Sequence, residues 1–334
     1  MPRLLAAALA LSSLITLGAN ASPCARGTAI VANDPIVAIA VSPNDDDIYV
    51  ALRIERPQLL PQYIVELRRP DEGFARQLYS SDWPIVKMRA DDDAVYLVTG
   101  FEAADVVRVP RDGEPPITLL SKSVALGAAM EIDDSFVYAV TETLGIVRVP
   151  KGGGSAEIIV NASRFPEAAL AVDRGGVYYT TGGTAYRYDK ASGTTLQTND
   201  LSNLSMLVVE GPWLYEASSR EIVRIPAQGG DVQSVARADF DESIAGIAAS
   251  GSQVAALIGH SVPRGCANAT LVLFPAPGSA PVTLSNRGGA LARSAEGFVH
   301  APRDCFLIGD HPPFTVERFC TTPGRRRAVT TAAP

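Results

Sequence analysis

Little in the sequence supplies the chemistry that catalysis or tight metal binding requires. There are three histidines in 334 residues, and none of them belongs to an H-E-x-x-H metal-binding motif. Cysteine pairs of the Cys-x-x-Cys type are absent, and so is a G-x-S-x-G turn that leads into a helix. The glycines at 152–154 indicate a hairpin turn rather than a phosphate-binding loop. The common signatures of zinc peptidases, serine hydrolases and nucleotide-binding enzymes are therefore missing.

Basic segments and long apolar runs are also scarce. The formal net charge is −7 and the isoelectric point is about 5.1. Arg325–Arg327 is the one basic block, and charge runs near a chain terminus are usually solvated. Nucleic acid, which binds to basic surfaces, is therefore not an expected partner. No apolar run reaches the ~20 residues that a membrane-spanning helix needs, so we expect no transmembrane span.

The first 21 residues have the features of a secretory signal peptide. Arg3 supplies a positive charge, residues 4–17 form an apolar segment, and Ala19–Ala21 fits a cleavage site. We predict that residues 1–21 are a signal peptide and that residues 22–334 form a single domain in the periplasm or outside the cell. A lipid anchor on Cys24 would keep the protein at the envelope instead, although Pro23 fits a lipoprotein signal poorly.

A repeat dominates the rest of the chain. A tyrosine follows a polar turn five times, at intervals of 37 to 47 residues: Tyr49, Tyr96, Tyr138, Tyr178 and Tyr215. A second segment recurs at a similar spacing: DVVRVPRDG from Asp105, GIVRVPKGGG from Gly145, TAYRYDKASG from Thr184 and EIVRIPAQGG from Glu221. Strand patterns that repeat every ~40–50 residues are typical of β-propeller blades, which have about four strands each. The sequence therefore predicts an all-β fold, a β-propeller.

Grouping the strand patterns gives seven blades. Their ranges are Pro35–Ser80, Trp83–Lys122, Val124–Ser163, Phe165–Asp200, Ser202–Phe240, Ser243–Gly288 and Ala290–Ala333. The last two groups are degenerate, because Ala256 and His300 replace the tyrosine, and a six-bladed ring is the alternative. A further strand pattern lies within residues 24–33. We expect this N-terminal strand to pair into the last blade and close the ring, which removes an exposed sheet edge.

Around these repeats the chain resembles the superfamily of secreted bacterial propellers that includes the YWTD domains of low-density-lipoprotein receptors. VYYTT at Val177–Thr181 and LYEAS at Leu214–Ser218 are loose versions of the YWTD tetrapeptide, and each precedes a strand like IxRxP. The resemblance covers Asp45–Gly230 and implies a propeller that binds partners. No catalytic motif of a propeller enzyme transfers onto these residues.

Small apolar residues fill the first strand of each blade, as expected for strands that line a narrow channel. Four charged residues interrupt this pattern: Lys87, Arg89, Glu131 and Arg293. Lys87 and Glu131 can form an ion pair in the channel or point into a turn. We expect the repeated tyrosines to pack between blades with their hydroxyl groups satisfied locally. The repeated arginines of the third strands are expected to pair with acids of neighbouring turns: Arg108, Arg148, Arg187, Arg224 and Arg318.

The acidic residues fall into two groups. Those at 45–47, 91–93 and 133–134 occupy turns between first and second strands, where Asp is a common turn residue and Ca²⁺ could bind. The second group precedes the first strands: Asp34, Asp82, Glu167, Asp200, Asp241 and Glu242. We expect this group to surround the channel mouth on the opposite face. Loops on a rigid scaffold often carry function, so these residues are the candidate binding face.

Four cysteines in an exported chain can form two disulfides. Cys266 and Cys305 are expected in loops between the second and third strands of adjacent blades. Cys24 lies near the closing strand and Cys320 in the third strand of the last blade, where a bridge would lock the ring. We therefore predict the pairs Cys266–Cys305 and Cys24–Cys320.

These features favour a non-catalytic binding scaffold for an envelope protein, an extracellular protein or a small ligand. The alternative is a metal-dependent hydrolase or lyase with its site at the channel mouth. Such an enzyme needs several acidic, amide or imidazole groups near the axis, whereas the channel strands carry mainly Ala, Val and Ile. Loop residues offer one other metal site: His300, His311, Asp304 and Asp310. Beyond a metal ion such as Ca²⁺ we expect no cofactor.

Overall fold

The computed structural model consists of strands and the turns that connect them. It describes residues 30–32, 36–43, 47–69, 75–100, 103–125, 129–141, 143–161, 169–182, 184–199, 206–260, 269–275, 277, 280–285, 289–294, 297–302 and 314–320. Within these ranges there is no helix that is long and apolar enough to cross a membrane.

Twenty-eight strands are present in the described ranges. The chain begins with β1 (Ile30–Ala32), β2 (Ile36–Val41), β3 (Ile48–Ile54), β4 (Gln62–Arg68), β5 (Ala75–Ser81), β6 (Ile85–Ala90), β7 (Ala94–Thr99), β8 (Ala103–Pro110), β9 (Ile117–Ala125), β10 (Met130–Ile132), β11 (Phe136–Thr141), β12 (Gly145–Pro150) and β13 (Glu157–Val160). It continues with β14 (Leu170–Val172), β15 (Gly176–Thr181), β16 (Thr184–Asp189), β17 (Thr195–Asn199), β18 (Met206–Glu210), β19 (Trp213–Ala217), β20 (Glu221–Pro226), β21 (Gln233–Arg237), β22 (Glu242–Ser250), β23 (Gln253–His260), β24 (Ala269–Phe274), β25 (Val282–Ser285), β26 (Gly289–Ser294), β27 (Gly297–Pro302) and β28 (Phe314–Cys320).

Hydrogen bonding divides these strands into antiparallel units of four. Five four-stranded sheets have the orders β2-β3-β4-β5, β14-β15-β16-β17, β18-β19-β20-β21, β22-β23-β24-β25 and β1-β28-β27-β26. An eight-stranded sheet combines β6–β9 with β10–β13, and a single bridge between Thr141 and Val124 joins its two halves. We number these units blades 1 to 7 from β2 onward, so that blade 7 contains β26, β27, β28 and β1.

The blades surround a central axis. The first strand of each blade contacts the first strand of the next, and β26 of blade 7 contacts β2 of blade 1. In blade 7 the outer strand is β1, whose Val31 lies opposite Thr315 of β28. The all-β propeller is therefore confirmed, with the N-terminal strand β1 paired into the last blade. The described strands are compatible with seven blades, and that number stays a prediction.

The second strands and the spaces between blades form the core. All six residues of β7 are buried, and so is each repeated tyrosine: Tyr49, Tyr96, Tyr138, Tyr178 and Tyr215. Ala38 and Ala40 of β2 belong to the same packed cluster as Met88 of the next blade. Small side chains let the first strands approach the axis, and each large side chain that is fully buried contributes about 1.5–3 kcal/mol.

The disc has two faces that carry different connections, because the strands of each blade alternate in direction. The connector face carries the links between successive blades and the loops between second and third strands, including residues 55–61, 82–84 and 238–241. The turn face carries the turns between first and second strands and between third and fourth strands, including residues 91–93 and 151–156.

Candidate functional site

Aspartates on the turn face are held by residues of two blades. Asp133 Oδ1 accepts hydrogen bonds from the backbone N–H groups of Ser135 and Phe136, both at 2.8 Å. Its Oδ2 accepts from the hydroxyl group of Tyr138 at 2.7 Å and from Nζ of Lys190, in blade 4, at 2.6 Å. One carboxylate thereby connects a turn, a second strand and the next blade. We call this arrangement the Asp–Tyr–Lys clasp.

The clasp recurs between blades 2 and 3. Asp91 Oδ2 accepts from the hydroxyl group of Tyr96 at 2.9 Å and from Nζ of Lys151 at 2.6 Å. Between blades 1 and 2 an arginine takes the place of the lysine, since Arg111 lies 2.6 Å from Asp47. The cation comes from the turn after the third strand in all three cases, so each contact joins one blade to the next.

The tyrosine hydroxyl groups vary in their partners. Tyr178 donates to Asp173 at 3.0 Å and lies 3.2 Å from the carbonyl oxygen of Ala227. Ala227 follows the third strand of blade 5, at the position that a basic residue occupies in blades 2 to 4. The expectation of local satisfaction is thus confirmed for three of the five tyrosines, including Tyr178. Tyr49 departs from it, because its buried hydroxyl group has no hydrogen-bond partner within the described residues.

Electrostatics hold the clasp carboxylates in the charged form. Burial alone would raise the pKa of Asp133, but the hydrogen bonds from Lys190, Tyr138 and the backbone outweigh it and lower the pKa. The pKa of Asp91 is lowered in the same way, chiefly by Lys151 against the effect of burial. Among the described residues, no three His, Cys, Asp or Glu side chains converge as metal ligands would. Calcium binding at the acidic turns stays a prediction.

The third-strand arginines of blades 3 to 5 pair inside their own blades. The pairs are Arg148 with Glu157 at 2.7 Å, Arg187 with Asp189 at 2.9 Å and Arg224 with Gln233 at 2.9 Å. The prediction of partners in neighbouring turns is wrong for these three residues. Arg148 lies directly opposite Glu157 across the β12–β13 pair, so a cross-strand neighbour lies within easier reach than the next blade. The side chain of Arg318 lies outside the described residues.

Charged residues meet in the central channel. Arg89 of β6 donates from Nε to Glu131 Oε2 of β10 at 2.6 Å, and a second guanidinium nitrogen binds Oε1. Nζ of Lys87 lies 3.5 Å from the same Oε1. Of the two alternatives for Lys87 and Glu131, the structure shows the ion pair, with Arg89 as the closer partner. Burial, together with the charge of Arg89, lowers the pKa of Lys87 to about 8.

Three of the six acidic residues of the candidate binding face belong to the described part of the chain, and all three lie on the connector face. Asp82 is 67% exposed, and its carboxylate accepts from Arg56 at 2.8 Å. Asp241 and Glu242 lie between blades 5 and 6, where Glu242 accepts from the N–H group of Asp239 at 3.2 Å. The remaining three lie outside the described residues: Asp34, Glu167 and Asp200. Arg56 therefore pairs with one of the three described acids, and the acidic binding face stays a prediction.

Exposed apolar side chains on the connector face were missed by sequence reasoning. Leu59, Leu60 and Trp83 are 67%, 70% and 56% exposed, and we call them the apolar cluster. Arg56 joins their two loops: Nε donates to the carbonyl oxygen of Leu60 at 2.9 Å, and another nitrogen donates to Asp82, the residue before Trp83. The available signal was apolar residues beside prolines in loops, in the segments RPQLLP and DWP.

A tight turn presents the two leucines of this cluster. The N–H group of Leu59 donates to the carbonyl oxygen of Arg56 at 3.2 Å, and Pro57 occupies the second position. Gln58 follows with φ 62°, which makes this a type II turn whose third position normally carries glycine. A non-glycine residue is therefore held in a strained conformation at the edge of the apolar cluster.

A second exposed ring lies on the same face between blades 5 and 6. Phe240 is 90% exposed, and the guanidinium group of Arg220 lies 5.3 Å from its ring centroid. Three acidic residues flank it in sequence: Asp239, Asp241 and Glu242.

The predicted disulfides and the loop metal site fall on residues that are not described. Cys24, Cys266 and Cys305 lie outside the described residues, as do His311, Asp304 and Asp310. Cys320 ends β28, the third strand of blade 7 as predicted, and pairs with Gly297; its side chain is not described, nor is that of His300. Both disulfides stay predictions.

Comparison with solved structures defines the class of protein. A chain of the mitotic checkpoint complex has a TM-score of 0.62 at 13% identity, over 95% of this chain and 99% of that chain. YCF48 bound to D1 peptide gives 0.58 at 10% identity over 87% and 95%. Hsv2 of Kluyveromyces lactis gives 0.56 at 13% identity over 80% and 90%. At these identities the likeness shows the fold alone, and the chain is a β-propeller.

No protein-family model and no curated protein sequence matches the chain.

Proposed function

We propose that this chain is an exported, non-catalytic propeller that binds a protein partner through its connector face. The apolar cluster carries the proposal. Leu59, Leu60 and Trp83 expose large apolar side chains in two loops that Arg56 holds together. Grouped apolar side chains on a surface indicate an interaction site.

Preorganisation supports the same conclusion. Arg56 fixes the loop of Leu60 and the loop of Trp83 through two side-chain hydrogen bonds, so a partner would order little on binding. Groups already held in place lose less conformational entropy in a complex. Tryptophan and arginine are also the residue types enriched among those that dominate binding energy at protein interfaces.

The region around Phe240 suggests the chemistry of the partner. An exposed ring beside Asp239, Asp241 and Glu242 suits a partner with an apolar anchor and a basic rim, because complementary charges steer association. Among the similar structures, YCF48 was solved bound to D1 peptide. This precedent is compatible with a peptide or protein ligand for the present fold and does not identify one.

Export rests on the sequence of the N-terminus. Residues 1–21 have the order of charge, apolar segment and small residues that signal peptidase recognises. The protein would then act in the periplasm or outside the cell, with the cysteines forming the two predicted disulfides. A lipid anchor on Cys24 is the alternative location, and the YWTD superfamily is the nearest relationship that the repeat motifs suggest.

The alternative of a metal-dependent hydrolase or lyase at the channel mouth gains no supporting observation in the described part of the chain. Of the acids predicted for that mouth, Asp82 pairs with Arg56. Substrate turnover by the purified protein that is abolished by EDTA would favour the enzyme over the scaffold.

The test is a comparison of binding by matched variants. The chain is immobilised, a partner is recovered from an envelope extract, and its dissociation constant is measured after purification. In the double variant Leu60→Ala/Trp83→Ala we expect the dissociation constant to rise about 30-fold or more, since loss of a dominant interface residue removes about 2 kcal/mol or more. Leu196→Ala is the control, because Leu196 is 59% exposed on β17, away from the connector face.

Equal stability of both variants in urea would show that each is folded. If the double variant binds within threefold of the wild type, the connector face is not the interface and the proposal fails. If Leu196→Ala is equally impaired, binding depends on the outer strands instead.

A further inference from the structure

The central channel contains a cavity with two kinds of wall. Its volume is about 220 Å³, and it lies in the half of the channel next to the turn face. Arg89 and Glu131 form its charged side. Apolar residues of blades 1, 2, 4, 5 and 6 form the rest, with large side chains at Ile39, Leu207 and Ile247. The connector face and its proposed partner are separate from this space.

The carboxylate of Glu131 faces two cations, of which Arg89 lines the cavity and Lys87 lies next to Glu131 outside the lining. Glu131 is 16% exposed at its side chain, and both of its oxygens are used by the guanidinium group of Arg89. Lys87 lies 3.5 Å from Oε1, so the same carboxylate also faces an ammonium group. The described part of this cluster therefore carries a net charge of +1 in a protein whose formal net charge is −7.

No neighbouring element described here removes that excess. The strands packed against β6, which carries Lys87, are β2, β7 and β10, with sequences IVAIAV, AVYLVT and MEI. Besides Glu131, their one ionisable side chain is Tyr96, whose hydroxyl group is bound to Asp91. Arg293 of β26 has a side chain outside the described residues, and its charge has the same sign.

We propose that the channel binds a small monoanion with an apolar tail, such as an aliphatic monocarboxylate. The anionic group would neutralise the excess charge at Arg89 and Lys87, because an uncompensated cation in a poorly solvated space attracts an anion strongly. The tail would lie against Leu207 and Ile247. An apolar cavity of ~150 Å³ accommodates benzene, so 220 Å³ is enough for a chain of about six carbons with a carboxylate.

The charge on Lys87 makes the proposal sensitive to pH. Burial and Arg89 lower the pKa of Lys87 to about 8, so between pH 7 and pH 9.5 the ammonium group loses its proton and the cluster becomes neutral. Affinity for a carboxylate should fall by about tenfold over this range. The matching amide carries no charge, and its affinity should change little.

The experiment is titration calorimetry of the full chain with hexanoate, hexanamide and acetate. We expect hexanoate to bind at pH 7, with hexanamide and acetate each weaker by about tenfold or more, because one lacks the charge and the other lacks the tail. Lys87→Met should weaken hexanoate binding by about tenfold. Lys122→Met is the control, since Lys122 is an exposed lysine on the outer strand β9, and it should leave hexanoate binding unchanged.

A second variant tests the charge balance in the opposite direction. Glu131→Gln removes the carboxylate that Arg89 and Lys87 share, so hexanoate should bind more tightly and should raise the unfolding temperature of this variant more than that of the wild type. Absence of hexanoate binding to the wild type, equal binding of hexanoate and hexanamide, or wild-type affinity in Lys87→Met would each overturn the proposal. If Glu131→Gln does not fold, the Lys87→Met comparison still decides it.

Discussion

The two faces of the disc use their side chains in opposite ways. On the turn face, Asp91 and Asp133 each bind a tyrosine of their own blade and a lysine of the next, with every carboxylate oxygen in use. On the connector face, four large apolar side chains that belong to no repeat are exposed: Leu59, Leu60, Trp83 and Phe240. Residues that recur build the contacts between blades, and residues that occur once form the surface to which we propose that a partner binds.

The energetics of the two faces differ for the same reason. The clasp lysines Lys151 and Lys190 are only 14% exposed at their side chains, so water screens these ion pairs less than it does ordinary surface pairs. The ion pair between Arg56 and Asp82, with 30% and 67% exposure, should contribute little to stability. The ion pair instead fixes the position of the apolar cluster, because Arg56 connects the loop of Leu60 to the loop of Trp83. Substitutions on the turn face should therefore affect folding, and those on the connector face should affect binding.

The largest effect is expected for Asp133→Ala. The substitution leaves the hydroxyl group of Tyr138, the ammonium group of Lys190 and two backbone N–H groups without their acceptor. Unpaired polar groups that are partly buried are costly, and we expect a loss of about 2–4 kcal/mol in the free energy of unfolding, measured in urea. Asp134→Ala is the control, because the neighbouring Asp134 is exposed, and it should lose less than about 0.5 kcal/mol. Equal losses would mean that the clasp contributes nothing specific.

Acid should weaken the clasps of the turn face. Burial raises the pKa of Asp91 and Asp133, but the lysine, tyrosine and backbone hydrogen bonds lower it further, so the folded-state pKa lies below the unfolded value. Their contribution to stability is present above the unfolded pKa of about 3.9 and is lost as pH falls through the folded pKa. The stability difference between wild type and Asp133→Ala should therefore shrink between pH 5 and pH 3, as measured by urea unfolding at each pH. A difference that stays constant or grows would contradict this assignment.

The sequence allowed the propeller and part of the clasp to be predicted. The tyrosines and the VRVP-like strands recur at a regular interval, and such a repeat can be recognised in the sequence without knowledge of tertiary contacts. The clasp was within reach as well: Asp precedes the tyrosine by five residues at Asp91, Asp133 and Asp173. A basic residue follows the third strand at the corresponding places: Arg111, Lys151 and Lys190.

The apolar cluster could not be predicted in this way. Leu59 and Leu60 belong to a loop that occurs once, and nothing local distinguishes them from leucines that fold back onto the core. Their exposure depends on the turn at Pro57 and on the distant partner Asp82, which lies 26 residues from Arg56. The pairing of Asp82 with Arg56 was hidden for the same reason, because the pattern of acids did not reveal the arginine that binds one of them.

The smallest effect concerns the strained turn of the connector face. Gln58 has φ 62°, and a non-glycine residue in this left-handed conformation is destabilised by ~1–2 kcal/mol. Gln58→Gly relieves that strain, but it also increases the entropy of the unfolded chain, which offsets ~0.5–1 kcal/mol. We expect a net gain of about 0.5 kcal/mol in urea unfolding. The matched control Gln62→Gly, in β4, should lose about 0.5–1 kcal/mol because glycine weakens a strand.

Binding should change in the opposite direction from stability. A glycine at position 58 would hold Leu59 and Leu60 less firmly, so the partner should bind several-fold more weakly although the protein is more stable. That combination would mean that the strained turn is retained for recognition. Stronger or unchanged binding would mean that its conformation is incidental to the interface. The connector face would then owe its selectivity to Trp83 and Arg56, which remain in place in this variant.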